Sequence, residues 1–118
     1  MKKINFLTAG VLNSSQIYAY KTKDSRAIFQ FSYHYLSGGF YEVDIHQQPS
    51  YQNRSTDINT IHRLSSPRTA KHKICFTSGK EPKTLSDSQK YSTDWAELTW
   101  EYIKSGVTID NQIRRRSN

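Results

Sequence analysis

Two neighbouring segments, residues 27–35 and 40–46, alternate aromatic or β-branched residues with polar ones, which predicts a pair of half-buried β-strands. Gly38 and Gly39 lie between the segments and indicate the turn of a hairpin. A three-residue loop, Ser37–Gly39, with one glycine in the left-handed conformation, is the register that leaves one face wholly apolar. The predicted cross-strand pairs on that face are Tyr35 with Tyr41, Tyr33 with Val43, and Phe31 with Ile45.

The same register brings six polar residues together on the opposite face of the hairpin. They are Gln30, Ser32 and His34 on the first strand, and Glu42, Asp44 and His46 on the second. Two imidazoles and two carboxylates in a small area can hold a divalent metal or exchange protons in acid–base catalysis. Alternatively, the face is solvated and its charges pair across the strands. The candidate ionisable cluster is therefore His34, Glu42, Asp44 and His46, with no metal assigned to it.

Three further segments alternate in the same way and predict strands at residues 2–8, 16–21 and 71–77. The turn residues between the first four strands predict an antiparallel meander. Residues 49–60 begin with a proline and are polar without periodicity, which predicts a long loop. Residues 58–64 are compatible with a short strand or a turn.

The clearest helical pattern runs over residues 86–105, where a broad apolar stripe faces a charged side. Two capping boxes compete for the N-terminus, and we expect the later one to start the helix. Gly106 follows the last turn, where a left-handed C-cap belongs. The competing boxes are Thr84 with Asp87 and Ser86 with Gln89, and the stripe contains Tyr91, Trp95, Leu98 and Tyr102.

These elements predict an α+β fold: a four- to five-stranded antiparallel sheet, a meander, with one long C-terminal amphipathic helix packed on its aromatic face. We expect a single domain over residues 1–118. Its parts are the sheet in 1–77 with the long polar loop 49–60, the helix in 84–106 and a basic tail in 107–118. The predicted core contains Phe29, Phe31, Tyr33, Val43, Ile45, Trp95, Leu98 and Tyr102.

The cysteine content and the apolar runs bear on the compartment. Cys75 is the only cysteine, so no intrachain disulfide can form, and we expect a buried thiol in a reducing compartment such as the cytoplasm. The apolar run after Lys2 and Lys3 superficially resembles a signal peptide, but Asn5 and Thr8 interrupt it, and we expect it to be mature protein. No apolar stretch reaches the roughly 18 residues that a membrane span requires.

The formal charge of +7 is concentrated in the second half of the chain. Residues 1–59 carry six basic and four acidic side chains, whereas residues 60–118 carry eleven and six, giving +2 and +5. Basic side chains with neighbouring tyrosines can follow a nucleic-acid backbone and stack on bases, although lysines on an edge strand also prevent edge-to-edge pairing. The predicted nucleic-acid-binding residues are Arg63, Arg68, Lys71, Lys73, Lys80, Lys83, Tyr51 and Arg54, and Arg114, Arg115 and Arg116 would add phosphate contacts.

The sequence therefore predicts a small basic, non-enzymatic module that binds nucleic acid or a nucleoprotein and needs no cofactor. One alternative is a protein-binding inhibitor or adaptor, of the kind that small accessory genes of phages or plasmids encode, acting through the hairpin tip or the helix edge near Trp100. A second alternative is a metal-independent ribonuclease that uses His62 with Arg63, or His72 with Lys73. The oligomeric state is left open. Nucleotide-binding loops, dinucleotide fingerprints, zinc-ligand spacings and nucleophile elbows are missing from the sequence.

Overall fold

The computed structural model describes residues 7–12 and 15–116, and the described chain forms an antiparallel sheet with three helices. The strands are β1 (Leu7–Leu12), β2 (Ser15–Lys21), β3 (Ile28–Tyr35), β4 (Tyr41–Gln47), β5 (Arg63–Ser65) and β6 (His72–Ile74). The helices are α1 (Ile58–Ile61), α2 (Leu85–Ser105) and α3 (Ile109–Arg116). The strands lie in the order β1-β2-β3-β4-β6-β5. The predicted α+β fold, an antiparallel sheet with a long C-terminal helix, is confirmed.

The β3–β4 hairpin has the predicted three-residue loop. The N–H of Leu36 donates to the carbonyl of Phe40 at 2.8 Å, and Gly39 adopts φ +88°, which is the left-handed conformation. A bulge at His46 changes the far end of the hairpin, so that Gln30 pairs with Gln47. The predicted pairs Tyr35–Tyr41, Tyr33–Val43 and Phe31–Ile45 are all formed.

Helix α2 covers the aromatic face of the sheet. The Trp95 ring meets Phe29 and Phe31 edge-on, with ring centroids 5.9 Å and 6.2 Å apart. Its indole N–H donates to the carbonyl of Ile61 at 3.1 Å, so α1 is held against the same ring. The predicted core residues are buried except Tyr33, which is half-buried. A smaller apolar cluster beside this core consists of Tyr51, Ile61, Tyr102 and Ile103.

The start of α2 differs from the prediction. Thr84 is the N-cap, with extended dihedrals, and its Oγ1 accepts from the N–H of Asp87 at 3.0 Å. The earlier box prevails because it adds the turn that buries Ser88, whose N–H donates to the Thr84 carbonyl at 3.0 Å. At the other end Gly106 adopts φ +82° and forms the predicted left-handed C-cap.

Other boundaries shift because backbone pairing extends or shortens the predicted segments. Of the predicted strand 2–8, residues 2–6 lie outside the described residues, whereas the predicted connection at 9–12 continues β1 and pairs with β2. Of the predicted strand 71–77, only β6 pairs with other strands. The ambiguous segment 58–64 forms α1 and most of β5, which is one strand more than the four or five predicted. The basic tail contains helix α3. In the described part of the chain no helix has the length and apolarity to cross a membrane.

Candidate functional site: the ion-paired hairpin face and the exposed lysines

The polar face of the hairpin is closed by residues 63–74, which we call the β5–β6 arm. Arg68 in this arm donates from Nε to Oδ2 of Asp44 at 2.7 Å and from Nη2 to Oδ1 at 3.0 Å. The same Nη2 donates to Oε1 of Glu42 at 2.6 Å, and the Ser66 hydroxyl donates to Oδ1 of Asp44 at 2.8 Å. Asp44 is only 1% exposed. The centre of this face is therefore buried and ion-paired, which corrects the alternative that the whole face is solvated.

Ion pairing outweighs burial for both carboxyls. Burial raises the pKa of Asp44, but hydrogen bonds from His34 and Arg68 outweigh it and hold the pKa well below its ordinary value. Burial likewise opposes ionisation of Glu42, yet the hydrogen bonds from Lys73, at 2.7 Å, and from Arg68 lower its pKa. The hydrogen bond to Asp44 raises the pKa of Arg68 and outweighs burial, which lowers it. Two carboxylates are thus matched by two cations across the hairpin and the arm.

Ser32 joins the two histidines of the cluster. Its Oγ lies 2.8 Å from Nε2 of His34 and 2.6 Å from Nε2 of His46, and the residue is fully buried. Nε2 of His34 also lies 3.3 Å from Oδ2 of Asp44, which as a carboxylate only accepts, so this nitrogen carries the hydrogen. The Ser32 hydroxyl then donates to Nε2 of His46, which must be unprotonated. Burial lowers the pKa of His46 and thus agrees with this hydrogen-bond order.

The cluster does not have the geometry of a Ser-His-Asp catalytic site. In such a site the histidine directs one ring nitrogen to the serine and the other to the carboxylate. Here the same nitrogen of His34 faces both Ser32 and Asp44, and Ser32 has no solvent-exposed surface. Within residues 7–12 and 15–116 no group of three or more His, Cys, Asp or Glu side chains is arranged to hold a metal ion. The arrangement joins the arm to the hairpin through ion pairs and hydrogen bonds.

Several predicted nucleic-acid-binding residues are engaged within the fold. Arg68 and Lys73 belong to the ion-paired cluster described above. Arg54 donates from Nε to the carbonyl of Ile103 and from Nη2 to the carbonyl of Lys104, both at 3.3 Å, and thereby satisfies two orphan carbonyls at the end of α2. These three cations are required by the structure, so their availability to a ligand is reduced.

Tyr51 does not supply the predicted stacking surface. Its side chain is 7% exposed and packs against Tyr102, with ring centroids 6.3 Å apart. The Arg63 guanidinium lies 5.2 Å from the centre of the Tyr51 ring and donates to Oε1 of Gln48 at 3.0 Å. The prediction from sequence proximity fails because Tyr51 packs into the smaller apolar cluster, although most other residues of the loop 49–60 are exposed.

Three of the predicted basic residues, Lys71, Lys80 and Lys83, are exposed. None of them has an ion-pair partner within the described ranges. Lys80 and Lys83 flank Pro82, whose carbonyl accepts from the N–H of Tyr41 at 2.8 Å, so this segment lies against the hairpin. These lysines are the part of the predicted basic site that the fold leaves open.

The histidines proposed for ribonuclease chemistry are separated from the cations paired with them in the sequence. His62 Nε2 contacts Oδ1 of Asp110 at 2.8 Å, beside a groove of about 400 Å³ that is lined by α2, α3 and the segment from Ile74 to Lys80. Arg63 turns towards Tyr51. Burial, and then the charge of Arg63, lower the pKa of His72. Lys73 is bound to Glu42 in the ion-paired cluster. Cys75 is half-buried at the same groove.

Sequence reasoning placed Tyr35 opposite Tyr41 but did not identify them as an exposed aromatic surface. Tyr35 is 63% exposed, and the centroids of the two rings lie 5.1 Å apart. The available signal was the position of both tyrosines next to the loop, at the end of the predicted aromatic face. Comparison of the chain with protein-family models, with curated proteins and with solved structures gave no match.

Proposed function

We propose that this chain is a non-enzymatic binding module that contacts nucleic acid, free or in a nucleoprotein, through the exposed lysines of its second half. The observation that supports the proposal is the exposure of Lys71, Lys80 and Lys83 without a counter-ion among the described residues, in a chain of net charge +7. Unpaired cations can release the counterions of a phosphate backbone on binding, which favours association with polyanions.

The internal pairing of the ionisable groups supports binding over catalysis. Asp44, Glu42, Arg68 and Lys73 neutralise one another, and the two histidines of the hairpin are linked through a buried serine. A general acid or base needs to reach a substrate proton, directly or through one water. Ser32 and Asp44 at the centre of the cluster are buried, which disfavours such contact there.

The test is a fluorescence-anisotropy titration against labelled single- and double-stranded DNA and RNA at two salt concentrations. We expect affinity to fall steeply with salt, with a slope close to one unit for each phosphate neutralised. The double variant Lys80→Glu/Lys83→Glu should weaken binding more than the matched control Lys21→Glu/Lys23→Glu, which makes the same charge change at exposed lysines of the first half. Lys73→Glu is unsuitable because it breaks the ion pair with Glu42.

Each outcome of this titration bears on the proposal. Absence of binding at low salt would refute it. Equal losses in both double variants would show a diffuse charge effect and would reject the assignment to the second half. Hydrolysis of the RNA probe would favour the ribonuclease alternative, in which His62 at the groove would be the first residue to substitute.

A protein-binding adaptor is the second candidate function, and the exposed tyrosine at the hairpin tip favours it. The helix edge near Trp100 is less suitable, because the indole N–H donates to Oδ2 of Asp24 at 2.8 Å. Arg26 and Lys104 also lie over the Trp100 ring, at 5.8 Å and 5.5 Å from its centre. Binding to a partner that is unaffected by Lys80→Glu/Lys83→Glu would support this candidate over the first.

A further inference from the structure

A pair of aromatic residues, Tyr35 exposed and Tyr41 half-buried, extends beyond the part of the sheet that α2 covers. Tyr33 is the last β3 residue on this face with a hydrogen bond to the helix, from its hydroxyl group to Ser92 Oγ at 2.7 Å. Tyr35, two residues further along, is 63% exposed, and its ring lies 5.1 Å from that of Tyr41 at an angle of 60°. No other described residue forms a hydrogen bond with the Tyr35 hydroxyl. With 63% of the residue exposed, the Tyr35 ring is accessible to a ligand.

A segment that carries two exposed lysines lies next to this pair. The N–H of Tyr41 donates to the carbonyl of Pro82 at 2.8 Å, which brings the segment containing Lys80 and Lys83 to the base of the aromatic pair. The acidic residue in this segment, Glu81, accepts from the N–H of Gly79 at 3.0 Å. Glu42, next to Tyr41 in β4, is neutralised by Arg68 and Lys73. The segment of residues 80–83 therefore adds a net charge of +1 to the hairpin tip, from two lysines and one glutamate.

We infer that Tyr35 and Tyr41, with Lys80 and Lys83, form a stacking platform for the unpaired bases of a single-stranded nucleic acid. This inference rests on the proposed function and names its ligand class. An aromatic ring with neighbouring cations is the combination that binds single strands without strong sequence preference, because every base has a face to stack and every nucleotide a phosphate to pair. In a duplex the bases are stacked on one another, so the ring has no base face to contact.

The experiment compares Tyr35→Ala with Tyr35→Phe in an anisotropy titration against labelled oligothymidylate and a duplex of equal length. Loss of the ring should weaken single-strand binding roughly 5- to 150-fold, the range that corresponds to one stacked base. Tyr35→Phe retains the ring and should bind like the unmodified protein. Ile28→Ala, at the opposite end of β3 and also exposed, controls for the loss of an exposed apolar side chain. Circular dichroism should show the same fold in all four proteins.

The outcomes separate this inference from the proposed function. If Tyr35→Ala binds oligothymidylate as tightly as the unmodified protein while Lys80→Glu/Lys83→Glu does not, the platform is wrong and the proposed function stands. An equal loss for single strand and duplex would also overturn base stacking. Absence of binding to either probe at low salt would overturn both and leave the tyrosines as a surface for a protein partner.

Discussion

The two faces of the β3–β4 hairpin are both buried at their centres, but by different chemistry. On one face aromatic rings meet helix α2, with Trp95 edge-on to Phe29 and Phe31. On the other face carboxylates meet cations from the β5–β6 arm, with Arg68 bound to both Glu42 and Asp44. Apolar contact is non-directional, whereas each ion pair requires particular atoms at hydrogen-bond distance. The comparison shows how one hairpin holds a helix and an arm on opposite sides.

Two tyrosine hydroxyl groups on the aromatic side of the sheet form hydrogen bonds with helix α2. The Tyr20 hydroxyl donates to Glu97, and the Tyr33 hydroxyl forms a hydrogen bond with the Ser92 hydroxyl. Both partners lie on helix α2. Burial, followed by the hydrogen bond to Glu97, raises the pKa of Tyr20. The aromatic face therefore combines a large apolar contact with two specific hydrogen bonds, and we expect its loss to have the larger effect on stability.

The largest expected effect follows from removing the central ring of the aromatic face. Trp95→Ala should reduce the free energy of unfolding by about 3 to 5 kcal/mol, because it removes a buried ring and leaves a cavity against two phenylalanines. Urea denaturation followed by circular dichroism measures the change. Tyr91→Ala, on the same helix but 40% exposed, should cost about 1 kcal/mol or less. A loss under 1 kcal/mol for Trp95→Ala would contradict the packing of α2 on this face.

The polar face is tested by replacing its buried carboxylate with an amide of the same shape. Asp44→Asn should reduce the free energy of unfolding by about 3 kcal/mol. The amide N–H₂ would face the N–H groups of Arg68, and the partly buried Arg68 would keep only one carboxylate partner, Glu42. Asp110→Asn is the matched control, because that carboxyl is 59% exposed in its contact with His62 and should cost about 1 kcal/mol at most. Equal effects of the two substitutions in urea denaturation would show that the buried pair has no special weight.

The aromatic face was predictable from the sequence, whereas the closure of the polar face was not. Periodicity of two determines which side chains share a strand face, so the pairing of Phe31 with Ile45 followed from the loop length. The same rule placed Asp44 beside Ser32 and His34. It could not predict that Ser66 and Arg68, more than twenty residues further along, would cover them. Long-range ion pairs leave no periodic signal.

The predicted basic site failed at some residues for a related reason. Clustering of Arg63, Arg68 and Lys73 in sequence indicates a basic surface only if each side chain is free, and the fold uses all three in internal contacts. A charge count does not distinguish a cation that neutralises a carboxylate from one that faces solvent. Lys71 and Lys80 show the second case. The sequence therefore predicted the charge of the second half but not its distribution between core and surface.

The pH dependence of stability tests the polar face separately from the aromatic face, because the ionisable cluster lies on the polar face. The pKa of His46 is lowered in the folded protein by burial, so the unfolded chain binds more protons between the lowered value and about 6.5. Stability should therefore fall as pH decreases through about 6.5, by no more than about 1.4 kcal/mol per pH unit for one histidine.

His46→Gln is the variant that isolates this contribution. An amide nitrogen or oxygen can replace Nε2 beside Ser32 without titrating. The slope of unfolding free energy against pH, measured by urea denaturation between pH 5 and 7, should therefore decrease by up to about 1.4 kcal/mol per pH unit. This is the contribution of one proton bound by one histidine. The remaining slope should include His72, whose pKa is also lowered by burial. An unchanged slope in His46→Gln would show that burial does not lower the pKa of His46.

The smallest expected effect concerns the N-terminus of the helix that covers the aromatic face. Thr84 Oγ1 accepts from the N–H of Asp87 at 3.0 Å, whereas Ser86 lies inside the first turn and is exposed. Thr84→Ala should therefore reduce the free energy of unfolding by about 1 kcal/mol, because one orphan N–H of α2 loses its acceptor. Ser86→Ala, a matched loss of one hydroxyl, should change it by less than about 0.5 kcal/mol. If Ser86→Ala costs more than Thr84→Ala in urea denaturation, the helix begins at the later of the two competing boxes, and the turn containing Leu85 is frayed in solution.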